Sequence, residues 1–273
     1  MSEKIIIDLG SVQKTLFLPL WGRACETKKE NPLLVDKTAL EIIEKVDFDF
    51  SAVAKNISGL SQSAWITRGI CVDKVIKEFL QKHPAATIVN IGCGLDTTFD
   101  RIDNGQLHWY DLDLPDVIEL RKKFIAESNR REFISASLVQ EDWLDDIAVG
   151  DNVLFIAAGV LYYFEEEEIK SFFKRLADKF PGCKIFFDAS SPLGVKTANQ
   201  MVIKNVGLDE SSFLKWGLRS PNDILAWDGR FKLLSMYYFF KDRKIGFKLK
   251  IMGFISDLLR MQYMLYLKLG DTI

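Results

Sequence analysis

The sequence predicts an α/β domain built on a mostly parallel sheet, with an all-helical extension in front of it. Two observations carry this prediction. Five short β-rich runs, 87–92, 107–112, 132–137, 152–158 and 184–190, are separated by segments with helical spacing or by turns. Their apolar residues continue without clean alternation, as in strands covered on both faces, and an antiparallel sandwich would not need the intervening helices.

The elements follow in order. From Asn31 to about Lys82, Leu40, Ile42 and Ile43, then Val72, Val75, Ile76, Phe79 and Leu80, recur at helical spacing. His83-Pro84 stops the last of these helices, because proline disfavours helical backbone in the residue before it. Within the alternating region, helices are predicted at Val117 to Ser128 and Glu165 to Lys179. The second begins with Glu165, Glu166, Glu167 and Glu168, acids that suit the positive end of a helix. Residues 193–230, with Trp216, Pro221 and Trp227, read as a polar helical or loop excursion. Runs at 232–240 and 261–269 add a sixth and a seventh strand. The whole, 1–273, reads as one domain divided into a helical extension (1–84), a central core (85–192) and a C-terminal part (193–273) that carries the last two strands.

Composition narrows the function classes. Hydrophobic residues make up 48% and charged residues 27%, which excludes a disordered or fibrous chain. Lys and Arg total 36 against 38 Asp and Glu, so the basic bias of a nucleic-acid binder is missing. Cys25, Cys71, Cys93 and Cys183 form no C-x-x-C pair, and the N-terminus lacks a signal-peptide run. A reduced, cytoplasmic protein without disulfides or metal is expected. The apolar stretch from Lys248 to Leu269 carries Asp257, Arg260 and Gln262 in its middle, so no membrane span is expected. It reads instead as an amphipathic helix through about Arg260, followed by a strand in which Tyr263, Leu265, Leu267 and Leu269 alternate.

The chemistry-bearing motif closes the first strand. Gly92-Cys93-Gly94 allows a sharp turn and close approach to a ligand at the carboxyl edge of the sheet, although a bare turn would use the same glycines. About twenty residues on, Asp111-Leu112-Asp113 ends the second strand, where an acid meets ribose hydroxyls. Thr97 replaces the third glycine of a dinucleotide fingerprint and no G-K-S/T follows. This favours a nucleoside without phosphates, such as S-adenosylmethionine, over NAD or a nucleoside triphosphate.

The stretch IVNIGCGLDTTFDRI followed by WYDLDLPDVIELRKKF resembles the leucine carboxyl methyltransferase family, in its bacterial branch of tetracenomycin-type polyketide O-methyltransferases. RACETKKENPLLVDKTA (23–39), a helix opening with Arg68, and FIAAGVLYYFEEEEIKSFF (155–173) agree in order, so the resemblance runs from about 17 to 240. It implies a seven-stranded, Rossmann-like S-adenosylmethionine-dependent methyltransferase fold with an antiparallel last strand. The core then binds the cofactor and residues 193–273 cover the acceptor. The resemblance assigns Arg68 to the carboxylate of the cofactor's methionine moiety, Gly92 and Gly94 to the lining of that moiety, and Asp113, or less readily Asp111, to the ribose. Ser137 and Leu138 stand where the family has an adenine-flanking Asp-Leu pair, and Asp142 is the alternative adenine contact. Ala158 replaces a glutamate that meets the cofactor's amino group in leucine carboxyl methyltransferases, which points away from a protein substrate and toward a small molecule.

The expected reaction is therefore O-methylation, with a carboxylate as first choice of acceptor. A carboxylate is already ionised at neutral pH, whereas a phenol or alcohol needs a general base. Only His83 and His108 are available, and both belong to the amino edge of the sheet, away from the ligand. Arg23 is the candidate to pair with an acceptor carboxylate. Tyr162 and Tyr163 are candidates to line the acceptor pocket, and Trp216 and Trp227 to cover a flat acceptor. Cys93 has no activating histidine nearby and is not expected to be a nucleophile. The open alternatives are a phenol or hydroxyl O-methyltransferase, a non-catalytic S-adenosylmethionine-binding protein and, on the glycines alone, an NAD-dependent oxidoreductase. An oligomer is compatible with all of them.

Overall fold

The computed structural model describes residues 5–6, 16–48, 50, 58–148, 152–200, 213–240 and 247–271. Seven strands form one sheet: β1 (Thr87–Ile91), β2 (His108–Asp113), β3 (Arg131–Ser135), β4 (Val153–Ala157), β5 (Lys184–Ala189), β6 (Lys232–Tyr238) and β7 (Tyr263–Lys268). Their order is β3-β2-β1-β4-β5-β7-β6, and β7 runs antiparallel to both of its neighbours. The other pairings in the sheet are parallel, as the unbroken apolar runs require.

The central strands send alternate side chains to two separate cores. Val89, Phe155, Ile185 and Phe187 face one side, where α6 (Glu166–Lys179) packs Ile169, Phe172, Phe173 and Leu176 against them. Ile88, Trp109, Leu154 and Phe186 face the other, under Val72, Val75, Ile76 and Phe79 of α3 (Gly59–Lys82). The glutamate run starts α6 as expected: the Glu165 N–H donates to Glu168 Oε2 (2.8 Å) in a capping box. The helix α3 ends where His83-Pro84 predicts, but it begins nine residues before Arg68, which therefore sits in mid-helix.

Ahead of α3 lie α1 (Phe17–Thr27) and α2 (Lys37–Lys45), the latter capped by Asp36, whose Oδ1 accepts from the Ala39 N–H at 2.9 Å. The extension is not wholly helical, because Ile5–Ile6 pairs in parallel with Val46–Asp47. Two short helices, α4 (Thr98–Ile102) and α5 (Pro115–Lys122), follow β1 and β2. The latter stops six residues short of the predicted end: the chain tightens on the Arg121 carbonyl, and Ser128 then bridges to Arg131.

The excursion contains α7 (Pro192–Ala198) and α8 (Pro221–Leu225), and residues 201–212 lie outside the described part. Trp216 and Trp227, the expected cover of an acceptor, pack against the core and do not line the cleft at the sheet edge. Their rings lie 6.1 Å apart, Trp216 is buried in the core, and the half-buried Trp227 packs edge-on against Phe173. The C-terminal helix α9 (Phe247–Leu258) ends just before Arg260, whose φ of 50° turns the chain toward β7. No described helix is long and apolar enough to cross a membrane.

Candidate active site

A cleft of about 410 Å³ opens at the carboxyl ends of β1, β2 and β4. Its lining includes Arg68, Gly92, Gly94, Asp113, Ser137, Leu138, Ala158, Tyr162 and Tyr163. The fold thus gathers residues spread over almost a hundred positions into one concavity.

The glycine loop is tightly determined. Gly92 has φ +61°, and a Cβ there would stand 2.3 Å from Val160 Cγ2, so both backbone and space demand glycine. At Gly94 the N–H donates to Asp113 Oδ2 (2.7 Å), and the carbonyl accepts from Arg121 Nη1 (2.8 Å). Asp113 Oδ1 also accepts from the Leu114 N–H (2.8 Å). Burial pushes the Asp113 carboxyl above its ordinary pKa, against the pull of these two donors.

Asp111 occupies a different place. It is fully buried, does not line the cleft, and accepts from Arg121 (2.7 Å), Arg131 (3.0 Å) and Asn90 (2.9 Å). The ribose alternative at Asp111 is thereby corrected, since its oxygens hold two buried guanidinium groups beneath the loop. Asp142 is likewise outside the cleft, exposed on a one-turn helix and lining a separate recess.

Arg68 reaches the cleft from α3. Its Nη1 donates to Asp188 Oδ2 (3.0 Å) and to the Tyr162 hydroxyl (3.2 Å), while Asp188 Oδ1 accepts from the Gly159 N–H (2.6 Å). Burial opposes the guanidinium charge, but Tyr162 and Asp188 outweigh it and raise the pKa of Arg68. Burial, with Asp188 beside it, pushes the Tyr162 phenol well up, so Tyr162 is a neutral wall residue. Gly159, at φ +91°, leaves room for the guanidinium, since a Cβ there would lie 2.8 Å from Nη1. Sequence reasoning passed over Gly159, Val160 and Asp188. The one available signal was an acid closing the apolar run KIFFDAS.

Arg23 also lines the cleft, but its charge is directed inward. Only 6% exposed, it donates from Nε to Asp36 Oδ2 (2.8 Å), and its Nη2 lies 3.8 Å from Asp96 Oδ1. Asp36 Oδ2 also binds Arg101 Nη1 (2.9 Å) and the Thr97 hydroxyl (2.6 Å). Burial of Asp96 is outweighed by Arg23, Arg101 and Thr98, which bring its pKa down to about 2. Burial raises the Cys93 thiol well above its ordinary value, in keeping with an unreactive small residue. Among the described residues no histidine lines the cleft, and no group of acids, cysteines and histidines is placed to hold a metal.

The profile of the family described as leucine carboxyl methyltransferase matches residues 17–177. This chain belongs to that family. The tetracenomycin polyketide synthesis O-methyltransferase TcmP of Streptomyces glaucescens is 30% identical over 220 residues, covering 80% of this chain and 79% of its own. The S-adenosyl-L-methionine-dependent methyltransferase dpfgK of Gibberella zeae is 25% identical over 241 residues, covering 81% and 80%. In the fold alone, the chain is similar to a solved Thermobifida fusca protein classed as a methyltransferase, with a TM-score of 0.59, 16% identity, and 83% and 90% of the two chains covered. The chain is thus an S-adenosylmethionine-dependent methyltransferase on a Rossmann-like seven-stranded sheet. The cleft suits that cofactor: it holds an acid with both oxygens oriented by backbone N–H groups, apolar walls from Leu114, Val117 and Leu138, and the cationic Arg68.

Proposed function

We propose that this methyltransferase esterifies a carboxylate of a small, aromatic or polyketide-like molecule. The observation that carries this reading is that the two acids, the Cys93 thiol and the Tyr162 phenol of the described cleft are each tied up or shifted away from general-base work near neutral pH. The cleft acids are Asp96 and Asp113. Asp96 is held at about 2 by its arginines, too low for an effective base, and Asp113 is committed to the glycine loop. Tyr162 and Cys93 are both pushed upward by burial. An acceptor that is already ionised needs none of them.

When bound, S-adenosylmethionine supplies a sulfonium methyl, whose S–C bond breaks as the ester O–C bond forms. The residues of the chain then bind and align. Arg68 holds the carboxylate of the methionine moiety, while Gly92 and Gly94 permit its close approach. Asp113 accepts from the ribose hydroxyls, and Ser137, Leu138 and Ala158 line the remaining cofactor space. Tyr162 and Tyr163 border the acceptor, together with the apolar Leu18, Trp65 and Phe240 in the same lining. Because in-line displacement is governed by alignment, rigid walls and exclusion of water are the main contribution required of the protein. The polyketide-like acceptor is supported by the similarity to the tetracenomycin polyketide synthesis O-methyltransferase of Streptomyces glaucescens and by Ala158 in place of the family's glutamate.

Calorimetric titration with S-adenosylmethionine and S-adenosylhomocysteine, with NAD as control, is expected to show micromolar binding of the first two alone. Labelled-methyl transfer should then favour carboxylic acids over phenols. The rate with a carboxylic acid should be flat between about pH 6 and 8, since its pKa lies near 4. Transfer confined to phenols, with a rate that rises through this range, would replace the carboxylate reading.

A further inference from the structure

The ring and the hydroxyl of Tyr162 are placed for different tasks. The ring packs edge-on against Tyr163, with centroids 5.1 Å apart, on the side proposed for the acceptor. The hydroxyl oxygen accepts from Arg68 Nη1 at 3.2 Å. An oxygen that accepts one hydrogen bond still carries its own proton to donate, and among the described residues nothing takes that proton. Tyr162 is only 7% exposed and lines the cleft, so an uncommitted donor there is costly unless something in the cleft meets it.

Arg68 is left in a matching position. Both of its side-chain hydrogen bonds to described residues leave from Nη1, so Nη2 remains for a ligand. Its charge is already opposed by the buried Asp188, 3.0 Å away. An anion that reaches this guanidinium meets a paired charge rather than a free one, and a second donor is needed to replace the water that the anion gives up. Tyr162 supplies that donor from a fixed position. Its carbonyl accepts from the Lys215 and Trp216 N–H groups (2.6 and 3.2 Å), which holds the backbone, while the Arg68 bond holds the hydroxyl. A donor fixed in advance loses little freedom on binding.

We infer that the Tyr162 hydroxyl donates to the carboxylate of the cofactor's methionine moiety, side by side with Arg68. Burial keeps the phenol protonated through the neutral range, as a donor must be. The inference rests on the assignment of that carboxylate to Arg68 and is independent of the identity of the methyl acceptor.

The test is calorimetric affinity of the parent, Tyr162→Phe and Arg68→Met for two probes. One is S-adenosylhomocysteine; the other is its decarboxylated 3-aminopropylthio analogue, which keeps the adenosine, the thioether and the amine. Tyr162→Phe removes one oxygen and keeps the ring. It should bind S-adenosylhomocysteine about tenfold more weakly than the parent does, and the decarboxylated analogue equally well. Parent-like affinity of Tyr162→Phe for both probes overturns the proposal, with a raised KM for the acceptor marking a residue that serves the acceptor alone. An equal loss on both probes overturns it too, because the substitution would then disturb the cleft rather than one contact. Arg68→Met separates the two assignments. If only Arg68→Met loses the preference for the carboxylate-bearing probe, Arg68 keeps its role and the Tyr162 inference alone fails; if neither variant loses it, the Arg68 assignment fails as well.

Discussion

At Gly92 two independent constraints meet in one residue: a backbone in the left-handed region and a Val160 side chain where a Cβ would go. Gly92→Ala should cost about 1–2 kcal/mol for the backbone and about 1–3 kcal/mol for the collision, read as a lower midpoint in urea. Adding Val160→Ala should restore the collision part and leave the backbone part, a separation that a double-mutant cycle measures. Arg121 is a positioning residue of a different kind, tying the Gly94 carbonyl to Asp111. Arg121→Met removes one of the two guanidinium groups that neutralise a fully buried carboxylate and should cost about 3–5 kcal/mol. For Arg68→Ala and Asp113→Ala the direct readout is calorimetric affinity for S-adenosylhomocysteine, expected to fall about tenfold or more for each, the range of a lost charge-assisted hydrogen bond. Parent-like affinity in both would displace the cofactor roles assigned to them.

At the scale of elements, the extension is locked to the glycine loop by charge. Asp36 caps α2 with Oδ1 and uses Oδ2 to bind Arg23 of α1, Thr97 of the loop and Arg101 of α4. Burial works against the Asp36 carboxylate, but Arg23, Arg101 and the Thr97 hydroxyl lower its pKa, and Asp96 falls to about 2. Both folded values lie below those of the unfolded chain, so the unfolded state binds more protons as the medium acidifies. The stabilisation is complete above the ordinary carboxylate pKa and is lost as pH falls from about 4 toward 2. Its ceiling for Asp96 is about 2 kcal/mol. Urea midpoints should therefore be insensitive to these groups between about pH 7 and 5 and should drop below about pH 4, with a shallower drop in Asp36→Asn.

For the whole molecule, the two cores form a rigid support whose carboxyl edge holds the site. Arg68 comes from α3, Gly94 from the loop after β1, Asp113 from β2, Ala158 from the end of β4 and Asp188 from β5. A ligand that joins these elements binds the folded state alone, so it should raise stability by mass action. At a hundredfold excess over its dissociation constant, S-adenosylhomocysteine should add about 2.7 kcal/mol. Thermal melting should show the corresponding rise in the parent protein, and little or none in Asp113→Ala.

The amino-acid sequence by itself determined the alternation of strands and helices, the end of α3 at His83-Pro84, the glycine turn and the family, because each rests on neighbours a few positions apart or on a continuous motif. Asp111 and Asp113 look alike in sequence, having the same parity on one strand, and only register separates them. Asp111 lies between Asn90 and Phe133 within the sheet, whereas Asp113 stands past Leu112, the last residue of β2 paired with β1, and emerges at the edge. Trp216 and Trp227 carried no sign of which way their rings would face, and the core took both. The charge of Arg23 was claimed by Asp36, which also binds Arg101, 65 residues farther along the chain. The exposure of Phe254 and Leu258 on α9 was hidden in the same way, since spacing reveals that a helix has two faces but not which of them the rest of the protein will bury. Local preference sets the elements; long-range packing and ion pairing decide what each side chain meets, and therefore which of the candidate residues remain available to a ligand.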